Sequence, residues 1–276
     1  MSTDRLASLL QRFSVSARMF HSGPLCGVTD IPYMEDVGQL HLIKRGPVAV
    51  HYAARKREHI DTPSLIFYPR AVRHRFVTDE ESGADMACAN LAFNAGSINP
   101  IAQSLPDVLI MPLTDVEEAQ PVLELLFREA FAKQCGRQQV VDRLFEVVLI
   151  LILRTLMNRG LVARGLLAGM ADPRLAKSLT ALHEAPQRAW SLERLASRAG
   201  MSRSHFAATF HETVGEAPGE YLAKYRICVA QDLLRRGEPL KIVAGKVGYA
   251  STAALSRAFS ATCGKSPRQW KAALPQ

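Results

Sequence analysis

Along the first 115 residues the apolar positions fall in short runs broken by Gly, Pro and Asp: QLHLIKRG, VAVHYAA, SLIFYP and MACANLAF. Each run has strand length and is bounded by turn residues. Strand after strand with little helix between them predicts a sandwich or a barrel. From Val116 the period lengthens. VEEAQPVLELLFREAFAKQ and QQVVDRLFEVVLILILRTLMNRG repeat their apolar positions every three or four residues, as helices do, and CGRQ supplies the turn between them. GLLAGMADPRLAKSLTALHEAP is a connector with its own helix, capped by Asp172 with Pro173 in the first turn. Pro186 closes it, and residues 187–276 read as helix throughout. The pattern predicts an α+β chain of two domains: β-rich over 1–115, a helical linker or dimerisation segment over 116–171, and all-α over 172–276.

The last ninety residues say one thing twice. LASRAGMSRSHFAATF is echoed by IVAGKVGYASTAALSRAF. Ala196 and Gly200 match Ala244 and Gly248 at an offset of 48. Phe206 and Leu255, Phe210 and Phe259, Gly215 and Gly264, Pro218 and Pro267, and Tyr221 and Trp270 match at an offset of 49. A slip of one residue in a turn leaves a strong internal repeat. Each copy has the parts of a helix-turn-helix. A small residue lets helices cross closely, Gly200 or Gly248 ends the first helix, and Ser202 or Ser251 caps the second. Apolar side chains four apart pin that second helix to the core and leave its outer face for contact. In such a motif the second helix enters the DNA major groove. PGEYLAKYRICVAQDLLRRG joins the copies; its ~18 helical residues span about 27 Å, close to the roughly 34 Å of one turn of B-DNA. One helix can therefore hold two reading heads in successive major grooves.

Charge agrees with this placement. Residues 1–171 carry 18 Lys/Arg and 18 Asp/Glu, whereas residues 172–276 carry 16 and 8, so the net +8 lies entirely in the last 105 residues. A basic excess at one end points to a polyanion there. The greasiest stretch, LFEVVLILILRTLMN, has an uninterrupted apolar core far short of the roughly 20 residues a membrane span needs. It reads as a buried or interface helix. The amino terminus lacks the continuous apolar region of a secretory signal. Five cysteines without dense spacing argue against a secreted disulfide scaffold. The expectation is a cytoplasmic protein with no membrane partner.

The region from Pro173 onward resembles the DNA-binding domain of AraC/XylS-type transcription regulators, on LASRAGMSRSHFAATFHETVGEAPGEYLAKYR and IVAGKVGYASTAALSRAFSATCGKSPRQW. The resemblance implies base contacts from Ser204, Ala207 and Ala208 in the first reading helix, and from Thr252, Ala253, Ser256 and Arg257 in the second. The family often has Arg where Ala208 stands; Ala offers only methyl contact, and Arg203 is placed to compensate from the rim. Arg257 keeps a guanidinium that pairs with guanine O6 and N7. Lys246, Lys265 and Arg268 are phosphate contacts or solvated charges. The implied partners are promoter duplex DNA, RNA polymerase and a second copy of the chain; the apolar face around Leu144, Val148 and Leu151 suits either such a dimer or packing within the chain. The family leans toward activation.

The front half resembles the cupin-like sensor domain of a subset of these regulators, on FHSGPLCG, GQLHLIKRG, LIFYPRAVRH, ACANLAF and NPIAQSLPDVLIMPL. That subset includes activators that sense reactive chlorine, whose two redox-active cysteines fall by position on Cys26 and Cys88. The implied input is thiol oxidation, by disulfide formation. Cys26 lies between Gly23 and Gly27, five residues after His21, in a loop that gives access. Cys88, in a strand-like apolar run, reads by itself as a small hydrophobe. Cys135, Cys228 and Cys263 fall on predicted helices and look structural. Two other inputs stay open: a metal held by His21, Cys26, His74 and Cys88, or an organic effector inside the barrel. The distant alternative is a cupin metalloenzyme; against it, no His-x-His occurs anywhere in the chain, and His41, His51, His59 and His74 are scattered and read as surface or satisfied histidines. No cofactor is called for.

Overall fold

The computed structural model describes residues 4–53, 56–94 and 99–273. The chain divides into two compact units: Val15–Ser97 with Leu105–Val162, and Met1–Ser14 with Ile98–Ser104 and Ala163–Gln276.

The first unit is built on two antiparallel sheets. Strands β1 (Val15–Leu25), β8 (Ala84–Phe93), β3 (Val37–Arg45), β6 (Ser64–Tyr68) and β9 (Leu109–Pro112) form one, in that order. Strands β2 (Val28–Asp30), β7 (His74–Val77), β4 (Val48–Tyr52) and β5 (Lys56–Ile60) form the other. Ile43, Ile66, Tyr68, Met86 and Cys88 from the larger sheet meet Val48, Val50, Tyr52, Ile60 and Phe76 from the smaller in one buried core. The opposite face of the larger sheet is buried as well, at Leu40, Leu42, Leu65, Phe67, Ala87 and Ala89. Burial on both faces explains why β6 and β8 read as nearly continuous apolar runs without alternation. Helices α3 (Gln120–Phe131) and α4 (Arg137–Asn158) pack together and against β1. β1 is an edge strand, and α4 occupies its free hydrogen-bonding groups. Met19 N donates to Asp142 Oδ1 at 2.7 Å, Ala17 N donates to Glu146 Oε1 at 3.2 Å, and Gln138 Nε2 donates to Met19 O at 3.0 Å. An edge covered in this way cannot recruit a foreign strand.

The second unit is helical: α1 (Ala7–Arg12), α2 (Pro100–Gln103), α5 (Leu166–Ala171), α6 (Pro173–Glu184), α7 (Leu192–Ala199), α8 (Arg203–Val214), α9 (Pro218–Arg235), α10 (Leu240–Val247), α11 (Thr252–Cys263) and α12 (Pro267–Ala272). Asp172 caps α6 with hydrogen bonds from Arg174 N and Leu175 N, and Pro173 occupies its first turn.

The units divide the chain differently from the three consecutive stretches read from the sequence, which ended at 115 and 171. α3 and α4 join the sheets. α1 and the 98–104 segment, which lie in the β-rich third of the sequence, join the helices. The reason is local. Leu9 and Phe13 are fully buried, Phe13 meets the Tyr225 ring edge-on at 5.4 Å, and Arg5 donates to the carbonyls of Met170 and Ala171. Ser104 lies so close to Gly165 that a Cβ there would sit 2.9 Å from it.

Candidate nucleic-acid interface and sensor interior

The two copies of the repeat fold alike. α7 ends at Gly200 (φ +66) and α10 at Gly248 (φ +87), left-handed positions where a side chain is strained. Ser202 then accepts from His205 N to cap α8, and Ser251 accepts from Ala254 N to cap α11. Phe206, Phe210, Leu255 and Phe259 are fully buried. The aromatic after each motif closes on its core: Phe210 meets Tyr221 at 5.8 Å and Phe259 meets Trp270 at 5.7 Å, both edge-on. Between them α9 runs unbroken for 18 residues. The outer faces of α8 and α11 carry every base-contact residue expected from the sequence. Arg203, Ser204, Ala208, Ala253 and Arg257 are exposed, and Ala207, Thr252 and Ser256 are half-buried. The faces differ in chemistry. Arg203 is tied to Glu193 at 2.7 Å, whereas Arg257 makes no ion pair among the described residues. Lys246 is not a free charge: its ammonium contacts both carboxylate oxygens of Glu238. His205 and His211 also stand exposed on α8. Arg188, Arg194 and Arg198 line an open depression with Trp190 beside the first motif. This rim escaped the sequence reading, although the i, i+4 spacing of Arg194 and Arg198 on α7 signals a basic helix face.

Inside the sheet unit the register gathers a polar row. His21 on β1 pairs with Cys88 on β8, which pairs on its other side with His41 on β3. Paired residues share a face, so the thiol lies between two imidazoles. His41 is fully buried, contrary to its reading as a surface or satisfied histidine. Its Nε2 is 3.0 Å from Nε2 of His74, and its Nδ1 has no hydrogen-bond partner. Its parity with the inward-facing Ile43 was the signal that could have placed it. His74 Nδ1 lies 2.9 Å from Val72 O, so it donates there and presents a bare Nε2 to His41. The His74 ring stacks on Tyr68 at 4.1 Å, and the buried Tyr68 hydroxyl lacks a hydrogen-bond partner. Burial lowers the pKa of His74 to about 4 and that of His41 well below the ordinary imidazole value, with His74 and His21 adding to the latter shift. Both rings are neutral at physiological pH.

Cys26 and Cys88 are not brought together. Leu25, next to Cys26, pairs with Ala84, four positions along β8 from Cys88. Four strand residues span about 13 Å, against the roughly 7 Å that a disulfide tolerates between Cα atoms. Cys26 is exposed, and its sulfur packs close over Gly83, the left-handed glycine before β8. Cys88 is buried, and burial pushes its thiol pKa far up. The residues expected as metal ligands fare similarly. His21, His74 and Cys88 surround His41, but Cys26 lies at the strand end, and among the described residues no group of three or more His, Cys, Asp or Glu is placed to hold a metal ion.

Comparison with known proteins agrees with both halves of this geometry. A cupin family model matches residues 4–158 and a helix-turn-helix domain model matches residues 195–273. An HTH-type transcriptional regulator of Haemophilus influenzae is 31% identical over 82% of this chain and 74% of its own length. The chain belongs to the AraC-like helix-turn-helix transcription regulators that carry a cupin domain. The RCS-specific HTH-type transcriptional activator RclR of Escherichia coli is 26% identical over 77% of this chain and 76% of its own. Other curated AraC-like regulators match over 56–58% of their own length. Among solved structures, ToxT of Vibrio cholerae aligns over 96% of this chain and 100% of that one, with 15% identity and a TM-score of 0.44.

Two further features of this AraC-like regulator depart from expectation. Cys135 lies exposed in the turn between α3 and α4 and not on a helix, whereas Cys228 is buried in α9 and Cys263 closes α11. Val148 is only 1% exposed and belongs to the core of its own unit. The outward stripe of α4 is instead Val140 and Val147, each 41% exposed, with the half-buried Leu144 and Leu151. No helix among the described residues is long and apolar enough to cross a membrane.

Proposed function

We propose that this regulator reads promoter DNA by placing α8 and α11 in two successive major grooves, and that its cupin unit adjusts transcription in response to an oxidant. The observation that carries the first part is the twin motif itself, with matched caps, matched aromatic locks and two outward faces joined by one continuous helix. Ser204, Ala207, Ala208, Thr252, Ala253, Ser256 and Arg257 face the bases, Arg203 works from the rim, and Arg188, Arg194 and Arg198 take phosphates. Hydroxyl-radical footprinting on selected genomic fragments tests this reading. Protection should appear in two stretches one helical turn apart on one face of the duplex; a single protected groove would overturn it.

For the input, the similarity to RclR, an RCS-specific activator, supports oxidant sensing, and the exposure of Cys26 supports it as the thiol attacked first. Thiolate character and access govern oxidation, and buried, neutral Cys88 has neither. Joining the two requires β1 to peel from β8 between His21 and Leu25. The hydrogen bonds that join α4 to β1, at Ala17 and Met19, lie just beyond the peeled segment, so opening that spreads past His21 reaches them and carries the signal out of the barrel. Activation through RNA polymerase is part of this reading. So is a homodimer through Val140, Leu144, Val147 and Leu151, whose 4-3-4 spacing is that of a coiled-coil seam. Cys26→Ser should abolish the oxidant response of a promoter fusion and leave binding by the reduced protein unchanged. An unaltered response removes the redox claim and leaves the DNA reading intact.

A further inference from the structure

A partly enclosed cavity of about 360 Å³ is lined by residues of the helical unit alone. It lies where Val214 at the end of α8, the middle of α9 and Thr262 at the end of α11 come together with Ser104 and Leu166. Its volume is near the lower end of the roughly 300–1,000 Å³ of small-ligand sites. One wall is aromatic: Tyr221 and Tyr225 lie one turn apart on α9 with centroids 6.2 Å apart and planes 20° from parallel.

The charge of this cavity is lopsided. Lys224 Nζ lies 2.7 Å from Glu216 Oε2. The Glu216 side chain is 22% exposed and its Oε2 is shut off from solvent, with the Lys224 ammonium as its partner, whereas the Lys224 side chain is 62% exposed. The carboxylate is therefore the fixed member of the pair and the ammonium the replaceable one. Moving an exposed lysine into water costs little, but leaving a mostly buried carboxylate without a cation is strongly unfavourable. The field of Glu216 also reaches the lining. Behind burial, which is the main cause, it is among the influences that push the Tyr221 phenol and the Cys228 thiol away from ionisation. A cavity whose aromatic lining is neutral and which holds one fixed negative charge favours a cation with an apolar body. The same carboxylate repels an anion.

We propose that this cavity binds an organic ammonium ion, an aryl- or alkyl-amine whose nitrogen replaces Lys224 Nζ at Glu216 while its apolar body lies against Tyr221 and Tyr225. The occupant touches the ends of both reading helices and the helix between them. It thereby biases their relative placement, and DNA and amine must alter each other's affinity by the same factor.

Three probes of one shape separate the charge states: 3-phenylpropylamine, 3-phenylpropanol and 3-phenylpropanoate, each titrated calorimetrically into the full chain. The amine should bind, the alcohol about tenfold more weakly, as expected for one partly buried charge pair near 1.4 kcal/mol, and the carboxylate not measurably. Glu216→Gln should bring the amine down to the level of the alcohol. Lys224→Ala should tighten amine binding several-fold, because it removes the competing ammonium; this variant keeps the test decisive if Glu216→Gln does not fold. Equal affinity for amine and carboxylate, no binding of the amine at millimolar concentration, or weaker amine binding by Lys224→Ala would each overturn the proposal. None of these readouts depends on DNA binding.

Discussion

Arg257 and Ala208 occupy the same place on α11 and α8, and under the proposed reading of DNA the difference between them sets how each helix discriminates. The Arg257 guanidinium, without an ion pair among the described residues, can make two hydrogen bonds to a guanine edge. The methyl of Ala208 senses shape alone, and the neighbouring Arg203 is drawn aside by Glu193. Arg257→Ala should therefore cost about 1–3 kcal/mol at one defined base pair and relax preference there, measured by competition with operator variants. Uniform weakening across all sequences would assign Arg257 to phosphate instead. A second residue-scale consequence concerns His41 and His74. Their pKa values are lowered in the folded unit, so the folded chain holds fewer protons than the unfolded chain between the ordinary imidazole value and about 4. Stability is then complete above pH ~6.5 and falls as pH drops toward 4, by on the order of 2 kcal/mol at pH 5 for His74 alone. Thermal melts at pH 7 and pH 5 should show this loss, and His74→Phe should flatten the dependence; a pH-independent melt of the parent chain would contradict it.

At the scale of elements, the two motifs are alike in plan and unlike in tolerance. Gly200 has open space around the position of a Cβ, whereas a Cβ on Gly248 would meet the Gln187 backbone at 2.7 Å. Both glycines are left-handed, so Gly200→Ala should cost roughly 1 kcal/mol. Gly248→Ala should cost clearly more, because the Gln187 backbone must move as well; denaturant midpoints compare the two directly. The repeat was legible in the sequence because its punctuation is chemically narrow: glycine for the left-handed turn, serine for the cap, an aromatic for the lock. Strands β3, β4, β6 and β8 were legible as apolar runs. β5 was not, since KREHI is exposed at four of its five positions and has nothing to alternate against. The interior histidines were hidden for a different reason. Which residues stand beside Cys88 depends on a register between strands some 45 to 70 residues apart, and no local pattern encodes that pairing. The same register, invisible in the sequence, separates Cys26 from Cys88.

For the whole molecule, the notable fact is which residues complete the helical unit. Phe13 is fully buried there, against Tyr225. Phe13→Ala should destabilise that unit by about 3–5 kcal/mol, and deletion of residues 1–14 by at least as much, both visible as a lowered melting midpoint and weakened DNA binding. A chain cut at 172, where the sequence pattern suggested a boundary, lacks both α1 and α2 and should be less stable than one that keeps them. If it melted at the same temperature, the docking of α1 and α2 would be energetically idle. Because the polypeptide passes from one unit to the other four times, no single breakpoint separates them. A recombination event that traded one cupin unit for another at one crossover would leave two orphan apolar helices and two empty seats. During synthesis, the sheet unit can close as soon as residue 162 leaves the ribosome, while α1 and α2 must wait for partners not yet made. Newborn chains thus pass through an interval with a finished cupin unit and an unfinished helical unit, its apolar seats for α1 and α2 still to be made.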